Sequence, residues 1–222
     1  MIVSAIITAA GSGNRFGEQK QFKQLKGTPL YFYSLKQFLL IQDIEEIILI
    51  VPKSKLNEIQ IEIANIQTTK KIIVVAGGKR RQDSVKNGIM SSSDKTELVC
   101  IHDGARPFIS IDLIKKSISA CSSNDGAIIA VPNYDTLKMC IKGYIKKTID
   151  RKNIWFAQTP QTFWKSKLIG AIEYAEKNEL TISDEASIME ALGFNIYVID
   201  GDNNNFKITS PNDWKRAEKV II

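Results

Sequence analysis

Runs of apolar residues alternate with segments of helical periodicity over the first 131 positions of the chain. The apolar runs are rich in Ile, Val and Leu, have the length of buried strands, and cover 2–7, 47–51, 72–75, 98–101 and 127–131. The segments between them repeat apolar residues every three or four positions, near 29–39, 53–64, 81–90 and 111–122. This alternation predicts an α/β fold with a mostly parallel, twisted sheet and helices on both faces.

The pattern changes after Pro132. Two short β-favouring runs around Lys142-Gly143 predict a hairpin over 136–149, which has few core residues of its own. Such an arm packs on a partner chain or forms a local flap. The remaining pattern predicts two helices, a strand and a closing helix, at 165–178, 184–192, 195–199 and from Pro211. We therefore expect a Rossmann-like α/β fold with a protruding β-arm, in one domain over 1–222, with no second enzyme fused to it.

Bulk composition limits the class of protein. With 44% hydrophobic and 24% charged residues, the 222-residue chain suits a globular domain with a large core. Its net charge of +6 fits either a polyanionic substrate or scattered surface lysines. No basic run is interleaved with aromatic residues, so we expect no nucleic-acid partner. We also expect no membrane partner, because no apolar run has the length of a membrane span.

The cysteines and the histidine argue against a metal centre. The three cysteines, Cys100, Cys121 and Cys140, are scattered and form no cluster with the single histidine, His102. We expect no metal bound by the protein alone and a reducing compartment, the cytoplasm. The apolar N-terminal run has no leading cation and ends in a glycine-rich loop, so it is interpreted as a strand rather than a signal peptide.

A glycine-rich loop, Ala9–Gly17, follows the first strand directly. In an open α/β sheet, the carboxyl end of a strand is where ligands bind. Small residues let backbone N–H groups approach a phosphate, and the cations Arg15 and Lys20 favour a triphosphate over a neutral ligand. The glycine spacing matches neither the dinucleotide fingerprint nor the ATPase loop. A plain turn therefore remains an alternative for this loop taken alone.

Further polar groups follow the other predicted strands. They are Gly77-Gly78 with Arg80, Arg81 and Ser84; Asp103 and Arg106; and Gly201, Asn205 and Lys207. Singly, Arg81 fits a solvated helix residue and Asp103 fits a turn cap. Together they lie at one edge of one sheet, because parallel strands present their carboxyl ends on the same side. This edge is the predicted binding site for a phosphorylated ligand.

The ordered set of short segments also points to a known family. The segments are Ala9-Ala10-Gly-x-Gly-x-Arg15, Lys20-Gln21-Phe22, Gly77-Gly78-x-x-Arg81-Gln82-x-Ser84-Val85, His102-Asp103-Gly104-Ala105-Arg106-Pro107, Asp135-Thr136-x-Lys138, Asp150-Arg151, Gln158-Thr159-Pro160-Gln161-x-Phe163, Asp184-Glu185-Ala186-Ser187 and Asn205-x-Lys207-Ile208-Thr209. Over nearly the whole chain they resemble the 2-C-methyl-D-erythritol 4-phosphate cytidylyltransferase family. The chain departs from the family in a shorter loop between Arg15 and Lys20, in Gln19 where a proline is common, and in Phe16 where methionine is common. Both loop cations are kept.

The resemblance implies a role for each group of residues. Around the reacting phosphates it places Arg15, Lys20 and Lys207. Around the cytidine nucleotide it places Ala9, Ala10, Gly11, Gly78, Ser84 and Gly104. Around the sugar phosphate it places Asp103, Arg106 and Thr159, and it assigns Thr136 and Arg151 to the partner subunit's site in a homodimer.

The implied reaction joins CTP and 2-C-methyl-D-erythritol 4-phosphate and releases pyrophosphate, in non-mevalonate isoprenoid precursor biosynthesis. The phosphate nucleophile is already anionic, so no general base is required, and His102 is interpreted as structural. Mg²⁺ is expected as cofactor, bound mainly through CTP phosphates. Three alternatives remain at this point: ribitol-5-phosphate cytidylyltransferase, a sugar-phosphate nucleotidyltransferase with another nucleotide, and a non-catalytic nucleotide-binding module.

Overall fold

The computed structural model of the chain describes residues 1–13 and 15–221. Over these ranges the strands are β1 (Val3–Thr8), β2 (Gln24–Leu25), β3 (Thr28–Pro29), β4 (Ile44–Val51), β5 (Lys71–Ala76), β6 (Leu98–Asp103), β7 (Gly126–Pro132), β8 (Leu137–Ile141), β9 (Tyr144–Ile149), β10 (Trp155–Trp164) and β11 (Ile196–Asp200). The α-helices are α1 (Leu30–Leu39), α2 (Leu56–Ala64), α3 (Arg81–Met90), α4 (Ile111–Ser119), α5 (Lys165–Lys177), α6 (Glu185–Ala191) and α7 (Pro211–Val220). The predicted alternation of strands and helices is confirmed.

A seven-stranded sheet in the order β11-β7-β10-β6-β1-β4-β5 forms the middle of the molecule. Strand β1 is parallel to both its neighbours, β6 and β4, and β5 extends the parallel set. The five residues of 3–7 are completely or almost completely shielded from solvent, which explains why β1 lacks the polar alternation of a half-exposed strand. The predicted mostly parallel α/β sheet is thus confirmed.

Helices cover both faces of this sheet. On one face, Tyr31 and Phe38 of α1, Ile59 of α2 and Ile114 of α4 pack into one apolar cluster with alternate strand residues. The other face is covered by α3, α5 and α6, which contribute the side chains Val85, Ile89, Leu168, Ile172 and Met189. Because neighbouring residues of a strand point to opposite faces, each central strand feeds both clusters.

Strand β10 was missed by the sequence analysis, which predicted no strand between the hairpin and the helix at 165–178. It is ten residues long and runs antiparallel between β6 and β7. Its register against β7 shifts between Ala157 and Gln161, so a bulge interrupts the strand and breaks its apolar alternation. Pro160, which cannot donate to a ladder, lies inside this irregular stretch. The local pattern therefore resembled a loop.

Strands β8 and β9 form the predicted hairpin and pair with each other in a separate two-stranded sheet. Lys142 and Gly143 at its tip both have positive φ angles, 49° and 84°, as two-residue hairpin turns require. Large apolar side chains stay in solvent here: Tyr144 is 76% exposed and Ile145 is 63% exposed. An isolated two-stranded hairpin is marginally stable in water. This arm therefore leaves apolar surface exposed that its own chain does not cover.

Within residues 1–13 and 15–221, none of the helices combines the length and apolar character that crossing a lipid bilayer demands.

Candidate active site

A cavity of about 490 Å³ opens at the carboxyl edge of the sheet, where β1, β5 and β6 end. The described residues that line it are Thr8, Ala10, Gly11, Ser12, Gly13, Arg15, Lys20, Gln21, Gly78, Lys79, Arg80, Arg81, Ser84, Asp103, Ala105 and Lys207. Six of these side chains are cationic and one, Asp103, is a carboxylate. The cavity therefore has the charge and the position expected for a site that binds a polyanion.

The glycine-rich loop forms one wall of the cavity and is more than a plain turn. Gly13 has a φ of +74°, and a Cβ there would lie 1.8 Å from the carbonyl oxygen of Glu18, so no other residue fits. The amides of Phe16 and Gly17 both donate to the Gly13 carbonyl, at 2.8 and 3.0 Å, which closes the loop on itself. Asn14 lies outside the described residues.

Lys20 follows this loop in a single 3₁₀ turn, Lys20–Phe22, and its side chain is almost wholly buried. Burial lowers the pKa of the Lys20 ammonium, and the charges of Lys207 and Arg15 lower the pKa further. Three cations are thus gathered, and the nearby carboxylates of Asp103 and Asp213 offset the lowering of the Lys20 pKa only in part. Phosphate groups that enter the cavity would supply the missing negative charge.

The second wall begins at the end of β5. A Cβ on Gly77 would lie 2.3 Å from the Cβ of Ala10, so glycine allows the two strand ends to approach. The Gly78 amide donates to Ser84 Oγ at 3.0 Å, and that hydroxyl donates to the Arg80 carbonyl at 3.1 Å. These bonds join the glycine pair to the first turn of α3 and give this wall a defined shape.

Asp103, the last residue of β6, lies at the centre of a cluster of charges. Its Oδ2 is 2.8 Å from Lys207 Nζ and 3.7 Å from Arg106 Nε, and its Oδ1 is 3.7 Å from Arg81 Nε. Burial by itself raises the pKa of the Asp103 carboxyl, but the three positive charges outweigh burial, and the pKa lies well below its ordinary value. Asp103 therefore stays ionised and orders the surrounding cations.

Comparison with known proteins agrees with this geometry. The family model described as 2-C-methyl-D-erythritol 4-phosphate cytidylyltransferase matches residues 3–222. The chain belongs to this family. The Geotalea uraniireducens protein of that name is 40% identical over 226 aligned positions, which cover 100% of this chain and 97% of the relative. The Syntrophus aciditrophicus protein of the same name is also 40% identical, with 99% and 95% coverage.

Solved structures of the family have the same fold. The Anaerococcus prevotii 4-diphosphocytidyl-2C-methyl-D-erythritol synthase superposes with a TM-score of 0.87 at 30% identity, over 99% of this chain and 98% of the other. The Francisella tularensis 2-C-methyl-D-erythritol 4-phosphate cytidylyltransferase superposes with a TM-score of 0.85 at 31% identity, over 100% of each chain. The chain is thus a nucleotidyltransferase, and the alternative of a non-catalytic binding module is wrong.

The structure brings together most of the residues chosen from the cytidylyltransferase resemblance. The cavity is lined by Ala10, Gly11, Arg15, Lys20, Gly78, Ser84, Asp103 and Lys207. Four other candidates lie behind this lining: Ala9, Gly104, Arg106 and Thr159. Thr136 and Arg151 flank the arm and lie outside the cavity of their own chain.

Thr159 and Arg106, which lie behind the cavity lining, make hydrogen bonds that hold the lining in position. The Asp103 amide donates to Thr159 Oγ1 at 3.0 Å, so this hydroxyl anchors the end of β6. Arg106 donates to the carbonyls of Asn205 and Ala157, at 2.8 and 3.3 Å. These bonds tie the segment that carries Lys207 to the irregular part of β10. Thr159 and Arg106 are placed here to fix Asp103 and Lys207 in position.

Of the other cations in the lining, Arg80 and Arg81 were placed at the predicted edge from the sequence but given no role, and Lys79 was not singled out. In the sequence, these cations follow the Gly77-Gly78 pair at the start of a helix beside the predicted edge, and this position indicates that they belong to the site. A helical position next to a loop suits a solvated side chain equally well. Arg81 proves to be hydrogen-bonded to Glu185, a contact across 104 positions that local pattern does not encode. Its Nε lies farther from Asp103, at 3.7 Å from Oδ1.

His102 has the structural role expected for it. Its imidazole is completely buried, with Nε2 3.1 Å from the Arg106 carbonyl and Nδ1 3.1 Å from Thr159 Oγ1. Burial lowers the pKa of His102 from its ordinary 6.5 to about 4, so the ring is neutral near pH 7. Because it does not line the cavity, His102 is not placed to take a proton from a substrate.

The buried imidazole should make stability depend on pH. Between pH 6.5 and about 4, His102 is protonated in the unfolded chain but stays neutral in the folded chain. The free energy of unfolding should therefore fall as the pH is lowered through this window, by about 3 kcal/mol from His102 alone. Denaturant unfolding at several pH values should show this slope for the unmodified protein and a shallower slope for His102→Gln. Equal slopes for the two proteins would contradict a lowered pKa of His102 in the folded chain.

Proposed function

We propose that this chain transfers the cytidylyl group of CTP to the phosphate of 2-C-methyl-D-erythritol 4-phosphate. The products are the CDP-linked methylerythritol and pyrophosphate, and the reaction belongs to non-mevalonate isoprenoid precursor synthesis. The observation that carries the proposal is the cavity at the sheet edge, where six cations and a glycine-rich loop face one carboxylate in a chain of this family. That arrangement suits a triphosphate together with a second phosphorylated substrate.

In the proposed reaction, a phosphate oxygen of the sugar alcohol attacks the α-phosphorus of CTP. The bond from this phosphorus to the β-phosphate bridging oxygen breaks, and pyrophosphate leaves with the electron pair. The nucleophile is a phosphate anion, so no base is needed, in keeping with the buried, neutral His102. Catalysis then rests on orientation and on stabilising negative charge in the transition state.

The proposed roles follow the geometry. Arg15, Lys20 and Lys207 would surround the reacting phosphates. The backbone and side chains of Ala9, Ala10, Gly11, Gly78, Ser84 and Gly104 would shape the nucleotide pocket. Asp103 would contact the sugar phosphate substrate, while Arg106 and Thr159, already bonded to other protein groups, would act through Asp103 and its neighbours.

Magnesium is proposed as the cofactor, carried mainly by the nucleotide. Among the described residues, no group of three or more His, Cys, Asp or Glu is arranged to hold a metal ion. The single carboxylate of the lining, Asp103, is already paired with cations. This donor set fits an ion that would keep phosphate and water ligands, with few ligands from the protein. When bound, Mg²⁺ would neutralise charge on the triphosphate.

The proposal includes a homodimer in which each arm reaches the neighbouring site. Apolar side chains of β8 and β9 are exposed, and a two-fold partner would cover them. Thr136 and Arg151, at the two ends of the arm, would then bind the sugar phosphate in the partner's cavity. We also propose a cytoplasmic location, because Cys100, Cys121 and Cys140 are all unpaired, which fits a reducing compartment.

Substrate preference tests the proposal directly. Small residues and backbone groups border the nucleotide pocket, so we expect CTP to be used at least about tenfold more efficiently, by kcat/KM, than ATP. We expect 2-C-methyl-D-erythritol 4-phosphate to exceed ribitol 5-phosphate by a similar factor. Pyrophosphate release should be measured with each of the four substrate pairs. Equal efficiency for the two sugar phosphates would contradict the proposed preference, and higher efficiency with ribitol 5-phosphate would favour the ribitol-5-phosphate alternative.

A further inference from the structure

Glu185 is a carboxylate that the proposed reaction does not use, and it is completely buried. It is the first residue of α6, and its Oε1 accepts a hydrogen bond from Arg81 Nη1 at 2.7 Å. Its Oε2 is buried without a hydrogen-bond partner among the described residues. Burial raises the pKa of Glu185, and Arg81 offsets this rise only in part. Replacing both Glu185 and Arg81 by apolar residues of similar volume would be neutral or stabilising, so stability alone does not explain this buried ion pair.

The backbone around Glu185 is held firmly in place. The side-chain amide of Gln161, on β10, donates to Asp184 Oδ2 at 2.7 Å and accepts from the Ala186 amide at 3.3 Å. Gln161 is itself buried. The two residues that flank Glu185 are thus fixed to the central sheet, which aims its carboxylate at Arg81.

Arg81 connects Glu185 to the active-site cavity. It lines the cavity, and its Nε lies 3.7 Å from Asp103 Oδ1, beyond hydrogen-bond distance. Asp103 instead makes its short contact with Lys207, at 2.8 Å. A guanidinium can bind a carboxylate with two parallel hydrogen bonds, which an ammonium cannot match. An Arg81 released from Glu185 would therefore compete with Lys207 for Asp103.

We propose that Glu185 is a positioning residue, which holds Arg81 back from Asp103 and thereby keeps Asp103 paired with Lys207. Lys207 is then directed at the reacting phosphates, a step that rests on the proposed function. Glu185 itself touches no substrate. Its negative charge acts through Arg81, and the carboxylate must lie within hydrogen-bond distance of the guanidinium to do so.

Glu185→Gln tests this proposal, because glutamine retains the shape and an acceptor for Arg81 but removes the charge. We expect kcat of the folded variant to fall about tenfold. The matched control is Ser187→Ala, which removes a 2.7 Å hydrogen bond to the Asp184 carbonyl in the same turn of α6 without changing charge. An unchanged kcat in Glu185→Gln, or an equal loss in Ser187→Ala, would overturn the proposal.

A double variant shows whether Glu185 acts through Arg81. In an Arg81→Gln background, adding Glu185→Gln should not lower kcat further, because the guanidinium to be restrained is gone. A further tenfold loss in that background would overturn the proposal. If Glu185→Gln fails to fold, Glu185→Asp replaces it in the test. Aspartate keeps the charge but is one methylene shorter, so its carboxylate lies farther from Arg81. We therefore expect kcat to fall several-fold. Full activity of Glu185→Asp would count against the positioning role.

A crystal structure of Glu185→Gln tests the geometry without any assumption about substrates. We expect Arg81 to move into hydrogen-bond distance of Asp103 and Lys207 to move beyond 4 Å from it. Unmoved side chains would overturn the positioning role even if activity fell. If the unmodified protein released no pyrophosphate, the proposed function would fail, while this structural result would still decide the arrangement of the charges.

Discussion

Lys20→Ala should lower kcat by about two orders of magnitude or more, which corresponds to about 3 kcal/mol of lost transition-state stabilisation. The buried ammonium of Lys20 is held beside Lys207 and Arg15, and its pKa is lowered first by burial and then by repulsion from these two cations. Negative charge developing on the phosphates would be stabilised by a donor that needs no reorganisation. Turnover should be measured as pyrophosphate release at saturating CTP and sugar phosphate.

The matched control for this prediction is Lys23→Ala. Lys23 lies three positions further along the same segment, but it is exposed and paired with Glu18, and it does not line the cavity. Its removal should change kcat less than about twofold, because exposed ion pairs contribute little. Near-normal turnover of a folded Lys20→Ala protein would contradict the role of Lys20. An equal loss in Lys23→Ala would indicate disturbance of the loop instead.

Mixing Arg151→Ala and Lys20→Ala chains should restore activity that neither variant has alone. In a dimer with one chain of each kind, one site combines a native Lys20 with a native Arg151 from the partner. Random exchange should then recover about a quarter of the unmodified activity, since half of the dimers are mixed and each has one intact site. Arg151 is suited to this test because it is exposed at the end of the arm, where its guanidinium donates to the Tyr134 carbonyl.

Subunit exchange must be shown independently, for example by native mass spectrometry of the mixture. Lys152→Ala provides the control, as it removes the adjacent cation and should retain activity by itself. A lack of recovery in mixtures that contain mixed dimers would contradict the shared site. Sedimentation that shows a fully active monomer would contradict it as well.

Much of the site was predictable because it depends on local signals. A buried strand that runs directly into a glycine-rich loop with Arg15 and Lys20 indicates a phosphate site at a strand end. The same logic placed Gly78, Asp103 and Lys207 at one edge, and all three line the cavity. What the local signals did not show is which side chains are paired with one another: Arg81 was open to interpretation as a solvated residue until Glu185 was placed beside it.

Sequence pattern alone predicts the alternation of strands and helices, the arm and the sheet edge at which the cavity opens. These features follow from the period of apolar positions and from glycine and proline, which act over a few neighbouring residues. The tertiary structure decided that β10 enters the middle of the sheet and that Thr159 anchors Asp103. It also decided that a buried Glu185 restrains Arg81. Those contacts join residues more than 50 positions apart, and their energies depend on burial and charge that exist only after the chain has folded.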